Sequence, residues 1–299
     1  MVAERAGDIA VTAFSAHRNL LFTVAYEMLG SAADAEDVVQ ETWMRWAAVD
    51  LDGVRDHRAY LVRITTRQAL DRLRALGRRK ETYVGPWLPE PLLTGPDVAE
   101  NVELAESLST AMLLMLETLT PTERAVFVLR EVFDVEYEEI AAAVDKTTAT
   151  VRQIAHRARQ HVDARRSRAV VSASQTRAVL ESFQRAIETG DLQSMLDVLA
   201  PDVVSMSDGG GIKQAALRPI VGAENVVRFL RGGIAKTGAE ITIEPIVVNG
   251  NPALRFRLDG ELDGVLGVDV ANGRISGMYF VRNPQKLTRL ESEVALTVH

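Results

Sequence analysis

At 299 residues, with 47% hydrophobic and 25% charged residues, the chain is long enough for two or three globular domains and excludes collagen-like, low-complexity and wholly disordered classes. The absence of cysteine excludes disulfides, iron-sulfur clusters, thiolate zinc fingers and a cysteine nucleophile. The formal net charge of -7 argues against a uniformly basic surface, the longest apolar run, Ala111 to Leu116, is too short for a bilayer, and Glu4, Arg5 and Asp8 interrupt any export signal; a cytoplasmic protein without membrane contact is expected.

The first elements read as helices. Phe14, Leu20, Leu21, Val24 and Met28 recur at threes and fours, followed by Val38, Val39, Thr42, Trp43 and Trp46, then by Tyr60, Leu61, Ile64, Leu70 and Leu73, which predicts an all-helical domain over residues 1–80. On the second helix Asp34, Asp37 and Glu41 stand at i, i+3 and i+7 with Gln40 beside them, an acidic stripe that is either plain solvated surface or a dock for a basic partner. The third carries Arg63, Arg67, Gln68, Arg72 and Arg74, continues to Arg78, Arg79 and Lys80, and follows a loop, Leu51 to Arg58, that contains His57. Such a helix can track phosphates while the neighbouring loop captures an unstacked base.

Residues 81–107 read as a linker, because Pro86, Pro89, Pro91 and Pro96 with Gly85 and Gly95 can continue neither a helix nor a central strand. Trp87 and Leu88 are large and apolar within it, so a docking surface is expected to cover them. Leu104 to Leu119 predicts one long helix, and Thr120-Pro121 with Glu123 predicts a capped start for the next, in a second helical domain over 108–168. Within it Ile140, Ala141 and Val144 make one short apolar face and Val151, Ile154, Ala155 and Ala158 another, separated by Asp145-Lys146-Thr147: helix-turn-helix spacing. The second of these helices would turn Thr150, Arg152, Gln153, His156 and Arg157 outward, where Arg and Gln can pair with base edges in a major groove.

Charge is segregated along this stretch. Residues 55–80 carry nine Lys or Arg against two acids, 81–145 two against fourteen, and 150–168 six against one, ending in Arg165, Arg166 and Arg168. Two separated basic blocks suit a protein that grips a polyanion at two places.

From 175 to 299 the period changes. A helix over Gln175 to Glu188 precedes β-rich runs at Ile241 to Val248, Ala253 to Leu258, Val265 to Val270 and Ile275 to Val281, with hairpin signals at Asn249-Gly250 and Asn272-Gly273. An α+β domain with an antiparallel sheet is expected. Gly209-Gly210-Gly211 lacks the Lys-Ser or Lys-Thr of a phosphate loop and fits a hinge or a close backbone contact.

The order of acidic helix, Arg-rich helix, linker, then Leu119-Thr-Pro-Thr-Glu-Arg-Ala-Val-Phe-Val-Leu-Arg130, Tyr137-Glu-Glu-Ile-Ala and Thr150-Val-Arg-Gln153 resembles a bacterial sigma factor of the extracytoplasmic-function group of the sigma-70 family, over roughly residues 14–162. Trp87-Leu-Pro-Glu-Pro91, Asp208-Gly-Gly-Gly211 and Asn283-Pro-Gln-Lys-Leu287 resemble marks of the SigJ-like subgroup, which carries a fused SnoaL-like, NTF2-like C-terminal cone; Ile212 before Lys213, and Gln285, depart from its pattern.

The resemblance implies a multidomain chain: two all-α domains, the second with the helix-turn-helix, followed by the α+β cone. It implies that Asp34, Asp37, Gln40 and Glu41 face core RNA polymerase, that His57, Arg63, Arg67, Arg72 and Arg74 meet the -10 promoter DNA, and that Thr150, Arg152, Gln153, His156 and Arg157 read the -35 element. Trp87, Leu88, Asp208, Gly209, Gly210, Gly211, Asn283, Pro284, Lys286 and Leu287 become expected regulatory contacts. Neither metal nor cofactor is expected. The alternatives are a stand-alone helix-turn-helix regulator, or a SnoaL-like small-molecule enzyme or sensor fused to a DNA-binding module. A small ligand in the C-terminal pocket belongs to that second reading, whose acid or base would come from Asp208, Asp259, Asp263 or Asp269, since the domain's one histidine is the terminal His299.

Overall fold

The computed structural model describes residues 2–95, 98, 101–165, 171–290 and 292–298. Pro96, Arg166, Arg168 and His299, and the side chains of Arg78, Arg79 and Lys80, lie outside the described residues. The chain divides into two compact units, Met1–Glu81 with Met112–Arg166 and Ala295–His299, and Thr82–Ala111 with Ser167–Val294. Both helical domains expected from the sequence therefore fall in one unit, and most of the linker falls with the C-terminal domain.

The first unit opens with α1 (Val2–Leu29), α2 (Ala32–Trp46) and α3 (His57–Lys80). Ser31 caps α2 by accepting from the Asp34 N–H, and the fully buried Trp46 donates its indole N–H to the Ala10 carbonyl at 2.9 Å, fixing the end of α2 against α1.

The single helix expected over 104–119 is two: α4 (Val102–Ser107) and α5 (Thr110–Leu116). Apolar periodicity runs through the break, but the Ser107 hydroxyl bonds the Leu104 carbonyl at 2.9 Å and the Ser109 N–H turns back to Glu106, tightening the last turn and ending the helix. α6 (Pro121–Phe127) begins with the expected capping box, Thr120 and Glu123 satisfying each other's backbone N–H, and continues as a π-helical turn over Val128–Val132. α7 (Tyr137–Val144) ends on Asp145 in the left-handed region (φ 55, ψ 56), and α8 (Thr148–Asp163) starts from Thr147, whose hydroxyl accepts from the Thr150 N–H. Val151, Ile154, Ala155, Ala158 and Val162 bury one face of α8, the helix-turn-helix packing read from the spacing.

In the second unit α9 (Ala173–Thr189) and α10 (Leu192–Val198) lead into β1 (Leu199–Asp208) and β2 (Ile220–Val221); α11 (Ala223–Thr237) precedes β3 (Ile241–Val248), β4 (Asn251–Leu258), β5 (Glu261–Ala271) and β6 (Arg274–Val281). The sheet order is β2-β1-β6-β5-β4-β3. It is not the purely antiparallel sheet expected: β1 pairs with β6 in parallel, by a long crossover that local pattern does not reveal. Asn249-Gly250 and Asn272-Gly273 form the expected hairpin turns, and Asp259-Gly260 makes a third with the same pair of positive φ values. Leu180, Phe183, Met195, Val203, Val226, Leu254, Ile275 and Met278 fill the core between helices and sheet. Among the described residues no helix is long and apolar enough to cross a membrane, and no group of three His, Cys, Asp or Glu could hold a metal.

Candidate nucleic-acid interface and linker anchorage

On α8, Arg152, Gln153, His156 and Arg157 are exposed and Thr150 is half-exposed, so all five expected base-reading side chains lie along the face opposite its buried stripe. Arg152 makes a 3.3 Å ion pair with Glu138, both exposed, and lies 5.3 Å from the Tyr137 ring. Such a contact orients the guanidinium at little energetic cost to its release. Neighbouring Arg159 is tied in a two-pronged pair to Glu131, which holds its guanidinium in the charged form.

The expected -10 residues divide. At about 100° per residue, Arg63, Arg67 and Arg74 fall within about 40° of one another around α3, whereas Arg72 stands about 180° from Arg63. Arg72 accordingly turns to α2, pairing with Asp34 at 2.6 Å and Asp37 at 2.7 Å. Burial works against its charge, but the hydrogen bond and proximity of Asp34 more than compensate and strengthen its hold on the proton. Arg63 lies over the Tyr60 ring at 4.5 Å, His57 meets Trp46 edge-on at 5.3 Å, and the exposed Arg74 pairs with Asp71. Arg67 reaches α7: its Nη2 donates to the Ala142 carbonyl at 2.7 Å and its Nε to Ala143 at 3.4 Å. Those are last-turn carbonyls of the first helix of the helix-turn-helix, where the helix dipole favours a cation.

Arg124 on α6 was not singled out from sequence. It is buried, donates to the Met28 carbonyl at 2.8 Å and pairs with Glu117 at 2.6 Å, so it joins α6 to the end of α1. A cation within the apolar run Ala125 to Leu129 was the available signal. On α2, Asp37, Gln40 and Glu41 are exposed beside Met44, while Asp34 is mostly covered by Arg72.

In the second unit several of the residues expected as regulatory contacts converge on Asp208, fully buried at the end of β1. Its Oδ1 accepts from the Tyr83 hydroxyl at 2.6 Å and the Gly210 N–H at 3.0 Å; its Oδ2 accepts from the Leu88 N–H at 2.9 Å and Lys286 Nζ at 2.7 Å. Lys286 also donates to the Leu88 carbonyl and lies over the Trp87 ring at 4.2 Å and the Tyr83 ring at 5.0 Å. Burial, reinforced by Asp208, pushes the Tyr83 phenol well above its usual range. Asn283 donates to Tyr83 at 2.8 Å and caps the 3-10 turn Pro284–Lys286 by accepting from the Gln285 N–H; Leu287, which follows that turn, is buried.

The three glycines permit this approach. A Cβ on Gly209 would lie 2.1 Å from the Lys213 carbonyl oxygen, and one on Gly210, whose φ is +60, would lie 2.3 Å from Asn283 Nδ2. Gly211 faces Val84 of the linker. Lys213 Nζ reaches Asp263 at 3.2 Å, and Arg282 grips the same carboxylate through Nε and Nη2 at 2.8 and 2.9 Å. Burial alone would raise the Asp263 pKa, but Arg282 and Lys213 outweigh it and hold the group below the usual aspartate value.

Beyond Leu88 the linker runs along the β3–β4 hairpin. Leu92 and Asn249 exchange two hydrogen bonds of 2.9 Å, Thr94 N–H donates to Val247, and Leu93 bridges Val248. Leu88 and Leu92 are wholly buried, a contribution of about 2 kcal/mol each.

Residues 13–79 match the family model Sigma-70 region 2, and residues 109–162 match Sigma-70, region 4. Over 292 residues the chain is 36% identical to the ECF RNA polymerase sigma factor SigJ of Mycobacterium tuberculosis, with 93% of each chain covered. The chain belongs to the ECF RNA polymerase sigma factors. A probable ECF sigma factor, SigI, of the same species is 31% identical over 96% of this chain and 98% of its own length. The crystal structure of M. tuberculosis SigJ matches with a TM-score of 0.75 at 32% identity, covering 95% of this sigma factor and 100% of that chain. This ECF sigma factor directs transcription initiation, and its C-terminal domain is α+β.

Proposed function

We propose that this sigma factor joins core RNA polymerase in the cytoplasm through the exposed Asp37, Gln40 and Glu41 of α2, with Asp34 held behind them by Arg72, and recognises promoters with two basic surfaces. One is the Thr150, Arg152, Gln153, His156, Arg157 row of α8, set against the -35 element; the other is His57, Arg63, Arg67 and Arg74 at the start and along one face of α3, set against the -10 element. Arg72 serves that second surface by orienting α3. The observation that carries the reading is the exposed Arg152, Gln153, His156 and Arg157 of α8, on a helix whose opposite face is packed.

The C-terminal domain acts as a regulator in cis rather than as an enzyme. Asp208 accepts four hydrogen bonds, Asp263 is clamped by two cations, and Asp259 sits in a hairpin turn accepting from the Glu240 N–H. Anchored by Asp208, the linker constrains the chain that connects α3 to α6. Within the first unit, Arg67 bound to α7 and Arg124 bound to Met28 keep the helical parts together. Promoter recognition needs both basic surfaces spread along DNA, so loosening the linker shifts the population toward the active form.

Run-off transcription with core polymerase tests the reading, comparing the full chain with the Trp87→Ala, Leu88→Ala double variant. Promoter-specific transcripts are expected from both, at altered levels from the variant. A full chain that binds promoter DNA without core polymerase and yields no transcripts would refute the polymerase role.

A further inference from the structure

Asp269 of β5, which pairs with Gly277, and Tyr279 of β6, which pairs with Gly267, meet diagonally across the strand pair, Tyr279 Oη 2.8 Å from Asp269 Oδ2. Gly277 makes room for them, since a Cβ there would lie 2.8 Å from the Tyr279 hydroxyl and 3.2 Å from the Asp269 carboxyl. The pair lines a cavity of ≈ 50 Å³ whose wall mixes polar and apolar groups, with Val248, Asn251, Pro252, Val265 and Val268 from the sheet. Pro89 and Pro91, just beyond the Asp208 anchor, contribute to the remaining side together with Ser109 and Thr110. Among the described residues no Lys, Arg or His lines it.

The Asp269 carboxyl differs from the domain's two fully covered aspartates, Asp208 and Asp263. Asp208 and Asp263 each meet a cation, whereas the side chain bonded to Asp269 among the described residues is the neutral Tyr279 hydroxyl. Burial pushes the Asp269 acid upward, outweighing the Tyr279 hydrogen bond, and burial followed by the adjacent carboxyl pushes the Tyr279 phenol upward. A desolvated carboxyl without a cation is costly to ionise, and a cation brought into contact relieves that cost. An anionic ligand would find no positive group in this cavity.

From this placement we propose that the cavity is a binding site for a small organic ammonium: a protonated amine that pairs with Asp269, accepts orientation from the Tyr279 hydroxyl, and lays a compact apolar body against the prolines and valines. The inference deepens the cis-regulatory reading and rests on it for its consequence alone. Because linker residues form part of the wall, an occupied cavity holds the linker against the sheet.

The test uses the full-length chain and three probes of like shape: cyclopentylammonium, cyclopentanol and cyclopentanecarboxylate, titrated calorimetrically at neutral pH. Saturable heat is expected from the ammonium, at least tenfold weaker binding from the alcohol, and none from the carboxylate. Asp269→Asn, close in shape and uncharged, should abolish ammonium binding while its circular dichroism and melting stay near wild type. Tyr279→Phe should weaken it severalfold. Saturating ammonium should also slow proteolytic cleavage between Tyr83 and Thr110 in wild type and not in Asp269→Asn. Equal binding of alcohol and ammonium, no binding of the ammonium up to tens of millimolar, or binding that survives Asp269→Asn would each overturn the assignment. Failure of the cis-regulatory reading is distinguishable, since unaltered transcription from the Trp87→Ala, Leu88→Ala variant leaves these heats in place.

Discussion

Arg72 on α3 and Asp34 on α2 are joined at 2.6 Å, one from the basic helix and the other from the acidic one. The pair is partly covered, and Asp37 adds a second contact at 2.7 Å from its exposed position. Two residues that the family resemblance assigns to different partners thus hold each other. Arg72→Ala should lower stability to urea by about 1 kcal/mol, with a smaller effect on promoter affinity than Arg63→Ala. Denaturation midpoints beside filter-binding of the polymerase complex check both halves; a larger DNA effect from Arg72→Ala would return it to the nucleic-acid surface.

Asp208 predicts a different scale of loss. Asp208→Ala removes the acceptor for two linker donors and leaves the mostly covered Lys286 charge without its carboxylate, which should cost about 3 kcal/mol and expose the linker to protease. Leu88→Ala should cost about 2–5 kcal/mol by cavity formation without removing that charge pair. Thermal melting and a limited-proteolysis time course on both variants measure this, and unchanged cleavage between Tyr83 and Thr94 in Asp208→Ala would contradict the anchorage.

For α8, Ala at Arg152 or Arg157 should weaken promoter use by about 1–3 kcal/mol per specific contact, with melting temperature and core polymerase association unchanged because both side chains are exposed. Wild-type affinity for the promoter should fall steeply with salt, as expected when several phosphates are neutralised. Reversing the exposed Asp37 and Glu41 to Lys should abolish co-purification with core polymerase while leaving the helical circular dichroism intact.

Asp263 carries a pH signature. Its folded-state pKa lies below its unfolded value because Arg282 and Lys213 favour the charged form over the cost of burial. The stabilisation is therefore fully present above the unfolded value of about 3.9 and is lost as pH falls through the lower folded pKa. Asp263→Asn should flatten the acid limb of the stability curve, read from urea midpoints between about pH 5 and 2; an unaltered limb would show that the carboxylate contributes nothing to acid stability.

How much of this was legible in the chain depended on range. The Thr120–Glu123 capping box, the Asp145 turn, the outward row on α8 and two Asn-Gly hairpins rest on contacts within a few residues, so sequence alone determined them. Asp259-Gly260 carries the same local signal. The opposite orientation of Arg72 was also legible, from helical spacing alone.

What tertiary structure decided is long-range. The parallel pairing of β1 with β6, the two bonds of Arg67 to α7 and the burial of Arg124 join residues some 70 to 100 positions apart, which no local period encodes. By local pattern Asp208 is one more acid beside glycines, and it is the family resemblance that marks it as a regulatory contact. Only the fold brings Tyr83, Leu88 and Lys286 to it, and burying a carboxylate requires such partners; the same requirement, met at Asp208 and left open at Asp269, separates an anchor from a cavity.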